Sequence, residues 1–208
     1  MTDRVFFPLV ALIAVAMVAI AAWRPPETCP TGSISVSSTY YKVIPINGVQ
    51  LNRFVTNDYL EKAACQAEAD YILSLSAPSD TVYPPSPDIG PHFRLAPDIE
   101  GVFSGNRIKI LIEARGTGNG GAFEMNYYSG PEGSSGWQQF ELASEYGQHV
   151  FDYEVPSASQ DQGVDFLAIR PVSGSTEQSL EIRDVTFLVL SLMTGEERQQ
   201  ALSEHVDP

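Results

Sequence analysis

From Gly105 to Leu190, apolar and polar residues alternate in short runs, and clusters of Gly, Ser, Pro and Asn separate the runs. A period of two sends successive side chains to opposite faces of a strand, so these runs read as an antiparallel all-β domain. In Arg107-Ile-Lys-Ile-Leu-Ile-Glu-Ala114, residues Ile108, Ile110, Ile112 and Ala114 share one face and Lys109, Leu111 and Glu113 the other. Gly116-Thr-Gly-Asn-Gly-Gly121 reads as a turn; no Lys-Ser/Thr follows it, which excludes a phosphate loop. Further strands are expected over 71–76, 122–129, 137–142, 149–155, 164–170 and 179–190, a number that suits a jelly-roll β-sandwich. The last of them changes phase. Leu180 and Ile182 are apolar at even positions, whereas Val185, Phe187 and Val189 are apolar at odd ones. A bulge at Arg183-Asp184 would reconcile the halves, and a strand buried on both faces is the alternative.

The front of the chain is of another kind. Val5 to Trp23 carries no charge, and as a helix it would rise about 28 Å, close to a bilayer's hydrocarbon thickness. The expectation is an uncleaved single-pass anchor over residues 1–23, with the N-terminus cytoplasmic and the folded domain periplasmic or otherwise extracytoplasmic. The small-x-small triplet Ala19-Ile20-Ala21 keeps a cleaved signal peptide as the alternative. Ala11, Ala14 and Ala21 would form a small-residue stripe for contact with a partner helix, and a lipid-facing Ala-rich helix is the plainer account.

Residues 24–68 read as a stalk and lead-in. Pro25, Pro26 and Pro30 forbid helix at its start, and Asp58 with Glu61 three residues on marks a short helix to about Ala67. Asp80 to Pro97, with five prolines, reads as an irregular loop or an edge. The sandwich would occupy 69–190. In the tail, 191–208, Thr194 and Glu197 form a second capping-box pattern that announces a terminal helix.

A hydrophobic content of 43% allows one ordinary core, and a net charge of −14 excludes nucleic acid or an anionic membrane surface as partner, since both require a basic stripe. Cys29 and Cys65 would pair in an oxidising compartment, with two free buried thiols as the alternative; neither has a second Cys or His at ligand spacing.

The series Asn106–Arg115, Gly136-Trp-Gln-Gln-Phe-Glu-Leu142, Tyr153-Glu-Val-Pro156, Asp165-Phe-Leu-Ala-Ile-Arg-Pro171 and Leu180-Glu-Ile-Arg-Asp-Val185 resembles the galactose-binding-domain-like β-sandwich, the jelly-roll superfamily that includes many carbohydrate-binding modules. The resemblance covers residues 69–190. It implies a structural calcium, with Asp184 on the last strand and Glu68 or Asp70 as its early partner; a surface pair of Asp184 with Arg183 or Arg115 is the alternative. Glycan binding would draw on aromatic platforms. The available rings are Tyr127, Tyr128, Trp137, Tyr146 and Tyr153, and strand phase sends one of the Tyr127/Tyr128 pair outward.

No catalytic constellation can be named. Carboxylate pairs such as Glu113/Glu124 or Asp152/Glu154 can be picked freely from 26 acids, and no Gly-x-Ser-x-Gly occurs. The sequence therefore points to a non-enzymatic, membrane-anchored envelope protein whose jelly-roll binds carbohydrate or another envelope component. Its rival is an accessory subunit of a larger membrane protein complex, with the sandwich as docking module.

Overall fold

The computed structural model describes residues 13, 17, 29–35, 42–63, 71–117, 121–130, 133–157, 164–172, 174 and 178–206. Its strands are β1 (Val43–Asn47), β2 (Glu61–Lys62), β3 (Leu73–Ala77), β4 (His92–Arg94), β5 (Arg107–Gly116), β6 (Gly121–Ser129), β7 (Gln138–Leu142), β8 (Gly147–Glu154), β9 (Asp165–Pro171) and β10 (Gln178–Val189). Among the described residues they form two antiparallel sheets. One has six strands in the order β2-β3-β10-β5-β8, with β1 also on β10; the other runs β4-β9-β6-β7. The all-β sandwich expected from the alternation is present.

Alternation decides what lies between the sheets. Ile108, Ile110, Ile112 and Ala114 of β5 are all 0% exposed and share the core with Phe123, Met125 and Tyr127 from the opposite sheet. A helix α1 (Pro97–Phe103) adds Ile99 and Phe103 to it. Its proline sits in the first turn, where no backbone donor is lost. Phe103 then packs on Phe187 at 5.2 Å between ring centroids and on Tyr127 at 6.2 Å. Each such ring taken out of water stabilises the fold by roughly 1.5–3 kcal/mol.

The phase change in β10 is a bulge. Ile182 pairs with Ala114 and Asp184 with Glu113, so Arg183 is the extra residue. The partner on the far edge of β10 changes at the same place, from β3 up to Ile182 to β1 from Asp184 onward. The bulge points Arg183 and Asp184 in succession away from the core, with Ile182 and Val185 on either side buried in it.

A second helix, α2 (Gly195–Val206), lies against the outer face of the six-stranded sheet. Thr194 and Glu197 close a reciprocal capping box, Glu197 N donating to Thr194 Oγ1 at 3.3 Å and Thr194 N to Glu197 Oε2 at 2.8 Å. Lys42 pairs with Glu197 at 2.7 Å, and hydrogen bonds from Lys42 and from the Thr194 backbone hold the Glu197 carboxyl at about 2. Under the helix, Leu111, Leu188, Leu190, Met193 and Ala201 form a small apolar cluster separate from the main core.

Two expectations are corrected. Asp58 does not open a helix: Asn57 and Asp58 have φ of +48° and +63°, which begins no right-handed helix, and Glu61–Lys62 pairs with β3 instead. The expected placement as a single-pass membrane protein, with a cytoplasmic N-terminus and an exported domain, is also overturned. Among the described residues no helix is long and apolar enough to cross a membrane. The longest, polar α2, has 12 residues and rises about 18 Å, well short of a bilayer core. Of the apolar Val5–Trp23 run, Ile13 and Met17 are described, both helical. Ala11, Ala14, Ala21, Cys65, Glu68 and Asp70 lie outside the described residues. Cys29 is disulfide-bonded.

Candidate functional site

On the outer face of the six-stranded sheet, strand register aligns side chains that are far apart in sequence. Asn47 of β1 pairs with Asp184 of β10, Asp184 with Glu113 of β5, and Glu113 with Gln148 of β8. Two carboxamides thus flank two carboxylates in one row. Three strand spacings make the row about 14 Å long. The next outward row, Pro45–Thr186–Leu111–Val150, carries the floor toward α2.

All of these residues except Val150 line a cleft of about 760 Å³. Tyr71 and Ile72, just before β3, border it, as do Tyr146 and Gly147 at the start of β8 and Glu204 of α2. At the end of β1, Gly48 turns the chain away at φ +50°, a conformation that glycine adopts without a Cβ clash.

The polar groups in the cleft and beside it divide into committed and uncommitted. Arg183 donates to Glu113 at 2.8 Å and lies 3.9 Å from the ring centroid of Tyr146. Arg115 lies over the same ring at 4.6 Å and donates to Glu181 at 2.7 Å, and the Tyr146 hydroxyl also donates to Glu181, at 3.0 Å. Burial pushes Glu181 up, but the bonds from Arg115 and Tyr146 outweigh it and hold the carboxyl below its ordinary value. Asp184 accepts the Thr186 hydroxyl at 2.7 Å. Against these, the Tyr71 hydroxyl and Gln148 Oε1 are buried with no hydrogen-bond partner among the described residues. Burial raises the Tyr71 pKa. An unsatisfied buried polar atom costs roughly 1–3 kcal/mol, so its presence in a cleft marks a place where an incoming group gains free energy.

Of the residues singled out by sequence, Tyr146 and Asp184 border the cleft, and Tyr127, Tyr128 and Trp137 lie elsewhere. Tyr127 is fully buried between the sheets, where burial and the adjacent Asp165 raise its pKa and its hydroxyl donates to Asp165 Oδ2 at 2.5 Å. Tyr128 faces outward from the four-stranded sheet and stacks on Phe166 at 6.2 Å. Strand phase assigned the two correctly to opposite faces. Trp137 is half-buried on that same sheet, 3.7 Å from the Arg170 guanidinium, which is itself paired to Glu124 at 2.8 Å. The three aromatics therefore do not converge on the cleft. Asp184 does lie in it, although the alternative partners offered for it are taken: Arg183 pairs with Glu113 and Arg115 with Glu181. Among the described residues no group of three or more His, Cys, Asp or Glu could hold a metal ion.

Sequence reasoning missed Asn47, Tyr71, Gln148 and the cleft role of Glu113. The outward aim of Glu113 was readable from alternation, whereas its neighbours in the row depend on which strands pair.

No family model matches the chain, and no curated protein matches it. Solved carbohydrate-binding modules are similar to it. The C-terminal CBM6 of LamC, a laminarinase from Zobellia galactanivorans, is 13% identical at a TM-score of 0.37, covering 70% of this chain and 98% of its own. The CBM22-1 xylan-binding domain of Paenibacillus barcinonensis Xyn10C is 9% identical at 0.40, covering 65% and 85%. A CBM4 structure is 13% identical at 0.39, covering 56% and 82%. The resemblance read from the sequence is to the same class of module.

Proposed function

We propose that this chain is a non-catalytic binding protein whose cross-strand cleft takes a carbohydrate. What carries the reading is the row Asn47–Asp184–Glu113–Gln148, four planar polar groups at strand spacing, beside two buried polar atoms without partners among the described residues. Hydroxyl groups repeated along a chain of linked rings both donate and accept, and planar amides and carboxylates are the side chains that meet such groups in pairs. The carboxylates are held by protein donors, Glu113 by Arg183 and Asp184 by Thr186. That suits fixed acceptance of hydroxyls more than proton exchange. Apolar surface comes from Pro45, Ile72 and Leu111 rather than from a free aromatic face, because two guanidiniums already cover Tyr146.

The test is retention of the full chain on a panel of soluble polysaccharides. Asn47→Ala and Gln148→Ala should weaken binding to whichever glycan is retained, and Trp137→Ala should not. If Tyr128→Ala or Trp137→Ala abolishes retention and the cleft variants leave it intact, the site is on the four-stranded sheet and this reading fails.

A further inference from the structure

The cleft also carries information on the charge of what it holds. Its titrating walls bring three carboxylates, Glu113, Asp184 and Glu204, against one guanidinium, Arg183. Arg183 is spent on Glu113. Neither Asp184 nor Glu204 forms an ion pair among the described residues; Asp184 receives only the Thr186 hydroxyl, and Glu204 the Gln200 amide at 2.9 Å. The hydrogen-bonding inventory is skewed the same way. Carboxylates only accept, Gln148 Oε1 is buried without a partner among the described residues, and the cleft's guanidinium is already used on Glu113, which leaves the neutral amides of Asn47 and Gln148 as the side-chain NH donors of its polar row. A second, independent sign of a ligand is Tyr71, 5% exposed, whose hydroxyl has no partner among the described residues.

An acceptor-rich, net-negative cleft in a chain of net charge −14 repels uronate or sulfated chains and attracts donors that carry positive charge. We propose that the preferred ligand is a glycan bearing ammonium groups, an amino-sugar chain. Each ammonium offers three donors and no acceptor, the complement of Asp184, Glu204 and Gln148 Oε1. This inference rests on the carbohydrate reading of the cleft and narrows it.

The experiment uses the full chain with three soluble β-1,4-linked hexamers of equal length, one of glucose, one of glucosamine and one of glucuronic acid. Binding is measured calorimetrically at a mildly acid pH where the amine is charged. The glucosamine hexamer should bind at least about tenfold more tightly than the glucose hexamer, a difference of about 1.4 kcal/mol, and the glucuronate hexamer should not bind. Asp184→Asn and Glu204→Gln should each shrink that ratio. Glu141→Gln, the same change of charge on the opposite sheet, should leave it unaltered and so separates cleft selectivity from the general attraction of an acidic protein for a cation. Equal binding of the neutral and amino hexamers, binding of glucuronate, or an equal loss of selectivity in Glu141→Gln overturns the inference while leaving the carbohydrate reading standing. No binding of any hexamer overturns both.

Discussion

The two outer faces of the sandwich are built from similar residues and treat them differently. On the four-stranded sheet, Arg170 lies between Trp137 and Tyr83 and is neutralised by Glu124. Asn126 is buried, and its Oδ1 accepts from Ser134 at 2.8 Å and Ser135 at 3.3 Å; Tyr128, Phe166 and His92 stack edge and face on one another. Among the described residues the groups just named answer one another, and the Tyr83 hydroxyl is the buried exception. On the six-stranded sheet, a helix covers one apolar strip, and beside it amides and carboxylates stand in a row with acceptors to spare. Aromatic content alone would have placed a ligand on the first face. Hydrogen-bond accounting favours the second, the face proposed above as the binding site, because a side chain whose partners are all intramolecular has little left to offer a ligand.

That contrast can be broken most severely at Tyr127, which sequence offers as a ligand residue and the structure places in the core. Tyr127→Ala should cost about 3–5 kcal/mol of stability, through a cavity and the loss of Asp165's donor. A drop in glycan affinity with an unchanged melting temperature would refute the core assignment. Trp137→Ala comes next. Loss of its contact with Arg170 should destabilise the fold by about 1–2 kcal/mol without altering glycan retention, measured by urea denaturation beside the affinity assay.

A gentler effect is expected from the histidines. His92 and His149 are both driven below the ordinary histidine value, in each case chiefly by burial. Both are thus neutral in the native state while the unfolded chain takes up protons near 6.5. Their contribution is complete above that pH, and it is lost as pH falls from 6.5 through the lower native values. His149 sits edge-on to Phe123 at 5.0 Å with Nε2 unpartnered among the described residues. His149→Phe should therefore flatten the acid limb of a stability–pH curve; an unaltered slope would show that this imidazole is not part of it. The smallest effect on stability belongs to exposed Asn47. Asn47→Ala should stay within about 0.5 kcal/mol of the parent and yet weaken glycan binding, and a loss of both together would remove Asn47 from the cleft's working surface.

What could be read in advance followed from local physics. The reversal of apolar phase at Arg183-Asp184 is a property of one strand, and the bulge stands there. The Thr194–Glu197 box concerns four successive residues, and α2 begins on it. The same box pattern at Asp58–Glu61 misled, because Asn57 lends its amide to the Ile89 and Gly90 carbonyls and is held with Asp58 in a left-handed turn that no neighbouring residue announces. The cleft itself was beyond reach. Its row exists only because β1, from near the front of the chain, lies beside the second half of β10, and cross-strand register between distant segments leaves no periodic mark in either one.

The extra residue in β10 acts as a frameshift confined to a single strand. Before Arg183 one parity of the sequence faces the core, and after it the other does, so the interior keeps an unbroken apolar surface while two adjacent side chains are released to the same exterior. An insertion or deletion of one codon at this point is therefore a heritable way to change which side chains stand on this outer face while the core keeps its packing. A chain with the same interior can in this way present a different exterior, because the count of residues in one strand, and not the identity of those packed beneath it, sets which side chains face out.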